Sequence, residues 1–302
     1  MNPKTCGKQE SRIIFSVLYL YAFTSITIRT LMTKTTTLLS ATVLAMLGLI
    51  AMAFVSVIPS ANAETLVDLE DIEAGDLIRG ESYSAVYYYG LDGFRYVFPN
   101  DKTYFTWYTD FDDVKWISDG DLADIQIGGN VTYKPGIKMI KINSDPTVYV
   151  VGAGGEIMGI PSEDLAEELY GSTWNQQIDD VADGFFSNYT MGSELEFASQ
   201  FSASGETATA HSIDADKGLK LYLTVSIQDN SYSPSELELD AGRAVRFVND
   251  GSNKHTASAD DGSWGTGTLN AGENFTRYFD EEGDYDFHCA YHDDMTGTLI
   301  VE

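Results

Sequence analysis

Cys289, His292 and Met295 follow one another at three-residue intervals near the C-terminus, in Phe287-His288-Cys289-Ala290-Tyr291-His292-Asp293-Asp294-Met295. One short loop therefore offers a thiolate, an imidazole and a thioether. A second imidazole, His255, stands in an earlier loop of the same region. Soft sulfur combined with imidazole suits a copper ion that alternates between Cu(I) and Cu(II) with little change of geometry. Zinc is the rival for one Cys and two His, but a Met fourth ligand suits zinc poorly. Taken singly, His255 reads as a loop histidine, Met295 as core filler and Cys289 as a small buried hydrophobe. Their spacing at strand ends is what turns them into a ligand set.

Cysteine and histidine counts narrow the chemistry. The chain has two cysteines, Cys6 and Cys289, and four histidines. If the N-terminus is removed on export, Cys289 is the remaining thiol and no internal disulfide can form. A lone thiol in an exported protein calls for an occupant, and a metal is the simplest one. A dinuclear thiolate-bridged copper site needs two cysteines. A multicopper oxidase needs several His-rich motifs, for which four histidines are too few.

The elements that must position these ligands are short strands. Over residues 219–302, Leu219, Leu221, Leu223, Val225 and Ile227 alternate with other residues. Leu237 and Leu239 follow, then a turn at Ala241-Gly242, then Val245 and Phe247. Phe275 and Phe279, Tyr285, Phe287 and Cys289, and last Leu299 and Val301 complete the series. Period two with turns between the runs predicts a small β-sandwich. The parity puts Cys289 on the inward face with Tyr285 and Phe287. His288 then points the other way and reads as a structural or surface histidine.

Tyr232-Ser233-Pro234, Ala241-Gly242, His255-Thr256, Gly267-Thr268-Leu269, Gly283-Asp284-Tyr285 and the segment from Phe287 to Met295 together resemble small cupredoxins of the plastocyanin and amicyanin type. The resemblance covers essentially all of residues 219–302, and the spacing of the last three ligands is similar to the short amicyanin-type loop. It implies an all-β Greek-key sandwich with one type 1 (blue) copper. His255, Cys289 and His292 would be equatorial ligands and Met295 the axial one. Two positions depart from the family. Thr256 stands where an Asn often ties the two ligand loops together, and it is expected to donate one such bond. Asp293 and Asp294 stand where a Pro often follows the second histidine, which makes the rim acidic.

The remainder of the chain reads as delivery and placement. Residues 1–63 combine an upstream extension with a signal peptide. Met32 is a natural start, Leu38 to Ile58 is an apolar run, and Ala61-Asn62-Ala63 is a small-x-small cleavage pattern before Glu64. Left uncleaved, this segment would be the chain's membrane contact. Localisation is thus expected to be periplasmic, cell-surface or extracellular.

Residues 64–196 contain an internal match at one offset of 62 residues. Val86-Tyr87-Tyr88-Tyr89-Gly90 recurs as Val148-Tyr149-Val150-Val151-Gly152, Phe98-Pro99-Asn100-Asp101 as Ile160-Pro161-Ser162-Glu163, and Tyr108 as Tyr170. Each unit reads as a hairpin followed by a short helix, with Ser162 capping Glu163–Tyr170 and Gly171 ending it. The pair is expected to pack as one α+β domain. It resembles duplicated modules of exported bacterial proteins, a resemblance that implies no activity. Its dense aromatics (Tyr87, Tyr88, Tyr89, Phe94, Tyr96, Tyr104, Phe105, Trp107, Tyr108, Trp116) suit either a core of large side chains or a face for cell-wall polysaccharide. With neither His nor Cys, this region offers no familiar transition-metal site. Residues 197–218, rich in Ser, Ala, Thr and Gly, read as a linker, and His211 within them as solvated.

Charge bounds the partners. Acidic residues number 46 and basic residues 18, a net of −28. Residues 1–63 hold five of the bases and one acid, so the remainder carries 45 acids against 13 bases, a net of −32. Such a surface repels nucleic acid and anionic lipid and suits a basic partner. The function expected is one-electron carriage between redox proteins without substrate turnover, with a basic partner docking near His292. The alternatives are copper scavenging or delivery, and a surface-binding protein with an accessory copper domain.

Overall fold

The computed structural model describes residues 65–302; the expected leader over 1–63, with its start at Met32 and cleavage after Ala63, lies outside the described residues. Among the described residues no helix is long and apolar enough to cross a membrane.

The first unit is a meander of β1 (Leu77–Arg79), β2 (Tyr87–Tyr89) and β3 (Arg95–Val97). It continues through α1 (Asp101–Trp107), β4 (Val114–Trp116), α2 (Asp119–Asp124) and β5 (Ile127–Asn130). β4 returns parallel to β1 and β5 parallel to β3, which gives the order β4-β1-β2-β3-β5. A second meander follows: β6 (Met139–Ile142), β7 (Asp145–Val151) and β8 (Glu156–Ile160). Then come α3 (Glu163–Tyr170), β9 (Ile178–Val181), α4 (Asp183–Phe186) and β10 (Thr190–Met191). Its order, β10-β8-β7-β6-β9, is the first order read from the opposite edge. The helix starts have a local cause. Asn100 Oδ1 accepts from Thr103 N–H at 2.8 Å, and Ser162 Oγ from Leu165 N–H at 3.2 Å, so each satisfies an orphan donor of the first turn.

The units are larger than a hairpin and a helix, and each sheet keeps its own core. Ile78, Ile117 and Tyr88 belong to the first, Ile140, Val151 and Met139 to the second. Of the ten aromatics singled out above, Tyr88, Tyr89, Phe94, Tyr96 and Tyr104 are buried, and Phe105 alone is exposed. These rings are chiefly core.

Residues 197–218 are not a loose linker. They form α5 (Ala203–Thr209) and α6 (Ile213–Lys217), capped by Ser202 and Ser212. Phe201 and Ile213 are buried. Asp214 accepts from Tyr88 O–H and Leu91 N–H in the first unit, and Asp216 from Gly154 N–H in the second. Helices this short are held by caps and side-chain anchors, so they leave no hydrophobic period to read. His211 is exposed, as expected.

The last strands form a sandwich: β11 (Leu223–Gln228), β12 (Ser231–Ser233), β13 (Glu236–Leu239), β14 (Arg243–Asn249), β15 (Ser258–Ala259), β16 (Asn274–Phe279), β17 (Gly283–Cys289) and β18 (His292–Val301). One sheet runs β12-β11-β14-β16 and the other β13-β18-β17-β15. Val225, Ile227, Val245, Phe247, Trp264, Phe287 and Leu299 fill the space between them. The first strand starts later than the alternation suggested. Gly218 closes α6 at φ 64, Leu219 N–H bonds back to Asp214, and Leu219 packs toward the first unit while Leu221 is exposed.

The outer face of β14 and β16 lies on the first unit. Arg246 donates to Tyr89 Oη, Gly93 O, Tyr222 Oη and Thr276 Oγ1. A Cβ at Gly93, which has φ +82, would meet Arg246 Nη2 at 2.3 Å. Buried Asp92 accepts from the hydroxyls of Tyr96 and Tyr278. Parity on β14 thus serves two cores: Val245 and Phe247 face the sandwich, Ala244 and Arg246 the first unit.

Candidate metal centre

β17 delivers Cys289 to one end of the sandwich. Phe287 and Cys289 are buried on the inward face, and the register of β17 with β18 shifts between His288 and Cys289. Ala290 and Tyr291 then turn the chain so that Cys289 pairs with His292, the first residue of β18. Met295, three residues on, is 2% exposed and belongs to the same core as Cys289.

His255 arrives on a separate loop, pinned by a two-way backbone pairing with Leu269 at 3.1 and 2.9 Å. Asn249, fully buried at the end of β14, donates to Leu269 O at 2.9 Å and Asn253 O at 2.8 Å and so holds that loop closed. Asn249 is a residue that sequence reasoning missed. Its signal was a polar residue continuing the inward parity of Val245 and Phe247.

These elements bring the ring nitrogens and the sulfur together. Cys289 Sγ lies 3.6 Å from His255 Nδ1 and 3.5 Å from His292 Nδ1. The ligand atoms of His255, Cys289 and His292 all fall within 4.8 Å of one another, the only such group among the described residues. The two imidazoles stand 4.7 Å apart, inclined by 31°. An ion about 2.0–2.1 Å from each imidazole nitrogen and about 2.3 Å from sulfur would hold N and S about 3.5 Å apart at tetrahedral angles. The observed separations therefore fit a metal bound by all three. Met295 is buried in the same core cluster as Cys289.

Thr256 joins the two ligand loops, but in the opposite sense to the one expected. Its side chain accepts from Ala290 N–H at 2.9 Å and from Ser258 O–H at 3.1 Å rather than donating across the site. Its backbone N–H points at Cys289 Sγ at 3.5 Å, and its carbonyl accepts from Tyr232 O–H. Burial, and after it the charge of Cys289, pushes the Tyr232 hydroxyl above its usual range. A backbone N–H therefore faces the Cys289 sulfur, an arrangement that would suit a metal-bound sulfur anion.

His288 is outside the group. It pairs with Asp260 Oδ1 at 2.6 Å on the other face of β17. Around half-buried His292 the rim is Tyr291, Asp293 and Asp294, all exposed. Tyr291 Oη lies 2.8 Å from Thr268 Oγ1, which steadies the ring next to the site.

Residues 201–301 match the model of the cupredoxin-like domain, and they carry all four candidate ligands. No curated protein matches the chain. Among solved structures, a purple cupredoxin from Nitrosopumilus maritimus is 28% identical, with 26% of this chain and 99% of that one covered and a TM-score of 0.25. A copper-containing nitrite reductase from Thermus scotoductus SA-01 is 29% identical over 28% of this chain and 23% of its own, with a TM-score of 0.27; the match thus spans less than a quarter of that enzyme. An oxidised amicyanin mutant is 25% identical over 26% and 81%, with a TM-score of 0.25.

Proposed function

We propose that this chain is an exported type 1 copper protein that carries single electrons between redox partners at the cell envelope and turns over no substrate. The observation that carries the reading is the convergence of His255 Nδ1, Cys289 Sγ and His292 Nδ1 at the buried end of a sandwich. His255, Cys289 and His292 would hold the ion, with Met295 as the weak fourth ligand. Bound copper would supply a one-electron couple.

The protein's own part is to keep those donors still. Two loops tied through Thr256 and Ala290 restrain the ligands. Phe247, Trp264 and Phe287 share one buried core with Cys289, which keeps its sulfur in dry surroundings. His292, half-buried at the rim, is the ligand nearest an incoming partner. Export is supported by the apolar run and the Ala-Asn-Ala pattern that ends at Ala63. The acidic rim supports a basic partner.

Residues 64–196 are, on this reading, a duplicated module that places the copper domain. The equal strand orders and the 62-residue spacing of the helix starts Asp101 and Glu163 support duplication. The anchoring of Arg246 and Tyr278 on the first unit supports placement. Contact with cell-wall polysaccharide through this region is testable by pull-down of residues 64–196 with envelope fractions. The experiment that tests the main reading is the visible and EPR spectrum of the protein loaded with Cu(II). An intense thiolate-to-copper band with a narrow copper hyperfine splitting is expected; a colourless complex overturns the assignment.

A further inference from the structure

His255 leaves a loose end. Its Nδ1 faces Cys289, while Nε2, on the far side of a ring with no solvent exposure, has no hydrogen-bond partner among the described residues. A buried donor left in that state costs about 1–3 kcal/mol. A carboxylate stands just beyond it: Asp229 Oδ1 is 3.7 Å from Nε2. That separation exceeds an ordinary N–H···O bond by about 0.7 Å, so it is a near approach rather than a formed bond.

Asp229 is not a passing surface acid. It sits in the turn between β11 and β12, and its Oδ1 accepts from Ser252 N–H at 2.7 Å, Asn253 N–H at 3.0 Å and Asn253 Nδ2 at 3.0 Å. Those donors belong to the loop that carries His255 two residues later. The carboxylate is therefore fixed relative to the imidazole by the same loop that presents it. Gly251 keeps the approach open, since a Cβ there would meet Asp229 Oδ1 at 2.7 Å.

We infer that Asp229 is the positioning residue for His255: once the 3.7 Å gap closes around a bound metal, its carboxylate accepts a hydrogen bond from Nε2–H, which keeps that proton on Nε2, leaves Nδ1 free for the metal and makes Nδ1 a stronger donor. Metal-bound histidines nearly always donate their other N–H, and a carboxylate acceptor raises ligand basicity. The inference rests on the copper reading above and goes beyond it, because it assigns part of the redox tuning to a residue that touches no metal. A more basic imidazole and a nearby negative charge both favour Cu(II) over Cu(I).

Asp229→Asn tests this in the full-length, copper-loaded protein, because the amide keeps an acceptor oxygen for Ser252 and Asn253 and removes only the charge. The ratio of Cu(II) to Cu(I) affinity is expected to fall about tenfold, a rise of about 59 mV in reduction potential for a one-electron couple. Asp250→Asn, which removes an exposed charge at the same end of β14, is the control for through-space charge and should move the potential much less. Asp229→Ala gives a second readout in the Cu(I) protein. The His255 Nε2 proton should exchange slowly in the wild type and fast in this variant, as read by NMR. A blue wild type in which Asp229→Asn shifts the potential no more than Asp250→Asn overturns the role of Asp229 and leaves the copper reading standing. A wild type that gives no coloured copper complex overturns both.

Discussion

Ala290 N–H donates to Thr256 Oγ1 at 2.9 Å, across 34 residues of sequence, and this bond joins the loop of His255 to the turn of Cys289 and His292. Thr256→Val removes the acceptor while keeping the shape. The variant should lose about 1 kcal/mol of stability, with Thr256→Ser retaining most of it. Chemical denaturation of the three proteins measures this, and a Val variant as stable as the wild type would show that the bond holds nothing.

Cys289→Ser should abolish the visible charge-transfer band of the Cu(II) protein. The sandwich should still fold, since Ser is smaller than Cys and the surrounding Phe287, Trp264 and Met295 core remains. Far-ultraviolet circular dichroism alongside the visible spectrum separates loss of colour from loss of fold.

Met295→Gln should keep the colour and lower the potential, because a harder oxygen ligand favours Cu(II). It should also cost stability, since an amide replaces a thioether that is 2% exposed. An unmoved potential in cyclic voltammetry would place Met295 outside the copper's reach.

Asp293→Asn with Asp294→Asn addresses docking at the His292 rim. On the proposed electron-transfer reading, carboxylates beside His292 should speed association with a basic partner, an effect screened over about 8 Å at physiological salt. The double variant should react more slowly at low salt and show a flatter salt dependence, with its spectrum nearly unchanged. Stopped-flow electron transfer to a basic cytochrome decides the matter: parallel salt slopes for both proteins would remove these acids from the docking surface.

Alkaline pH should loosen the seam between the first unit and the sandwich. Burial first, then hydrogen bonds to Asp214 and Asp92, hold the hydroxyls of Tyr88, Tyr96 and Tyr278 above the ordinary phenol value. Burial also pushes Tyr104 up to about 12. Groups raised in the folded state contribute stability that is complete below their unfolded pKa of about 10 and is lost as pH climbs toward the folded value. Denaturation midpoints should therefore hold steady to about pH 9 and fall above about pH 10, with the phenolate absorbance of the buried tyrosines appearing together with unfolding. Free titration of all the tyrosines near pH 10 in the intact fold would contradict it.

The grouping of His255, Cys289 and His292 and the sandwich that holds it were legible in the residues themselves. Cys289, His292 and Met295 are local to one turn, and inward parity along β17 is a property of a single strand, so short-range order suffices for both. Ser162 and Gly171 mark the ends of α3 for the same reason: a cap acts within one helical turn. The contacts that depend on how distant segments come together were not legible. Thr256 became an acceptor because the strand register places Ala290 N–H opposite its hydroxyl. Asn249 and Asp229 gained their places from loops that close around His255. The stretch of residues 197–218, which reads as a linker in sequence, is folded because Asp214 and Asp216 reach Tyr88 and Gly154, 126 and 62 residues away. Asp92 is matched to Tyr278 across 186 residues. A hydroxyl, an amide or a carboxylate carries no period and no spacing of its own; its partner is chosen only when the chain has folded and the buried group must be satisfied.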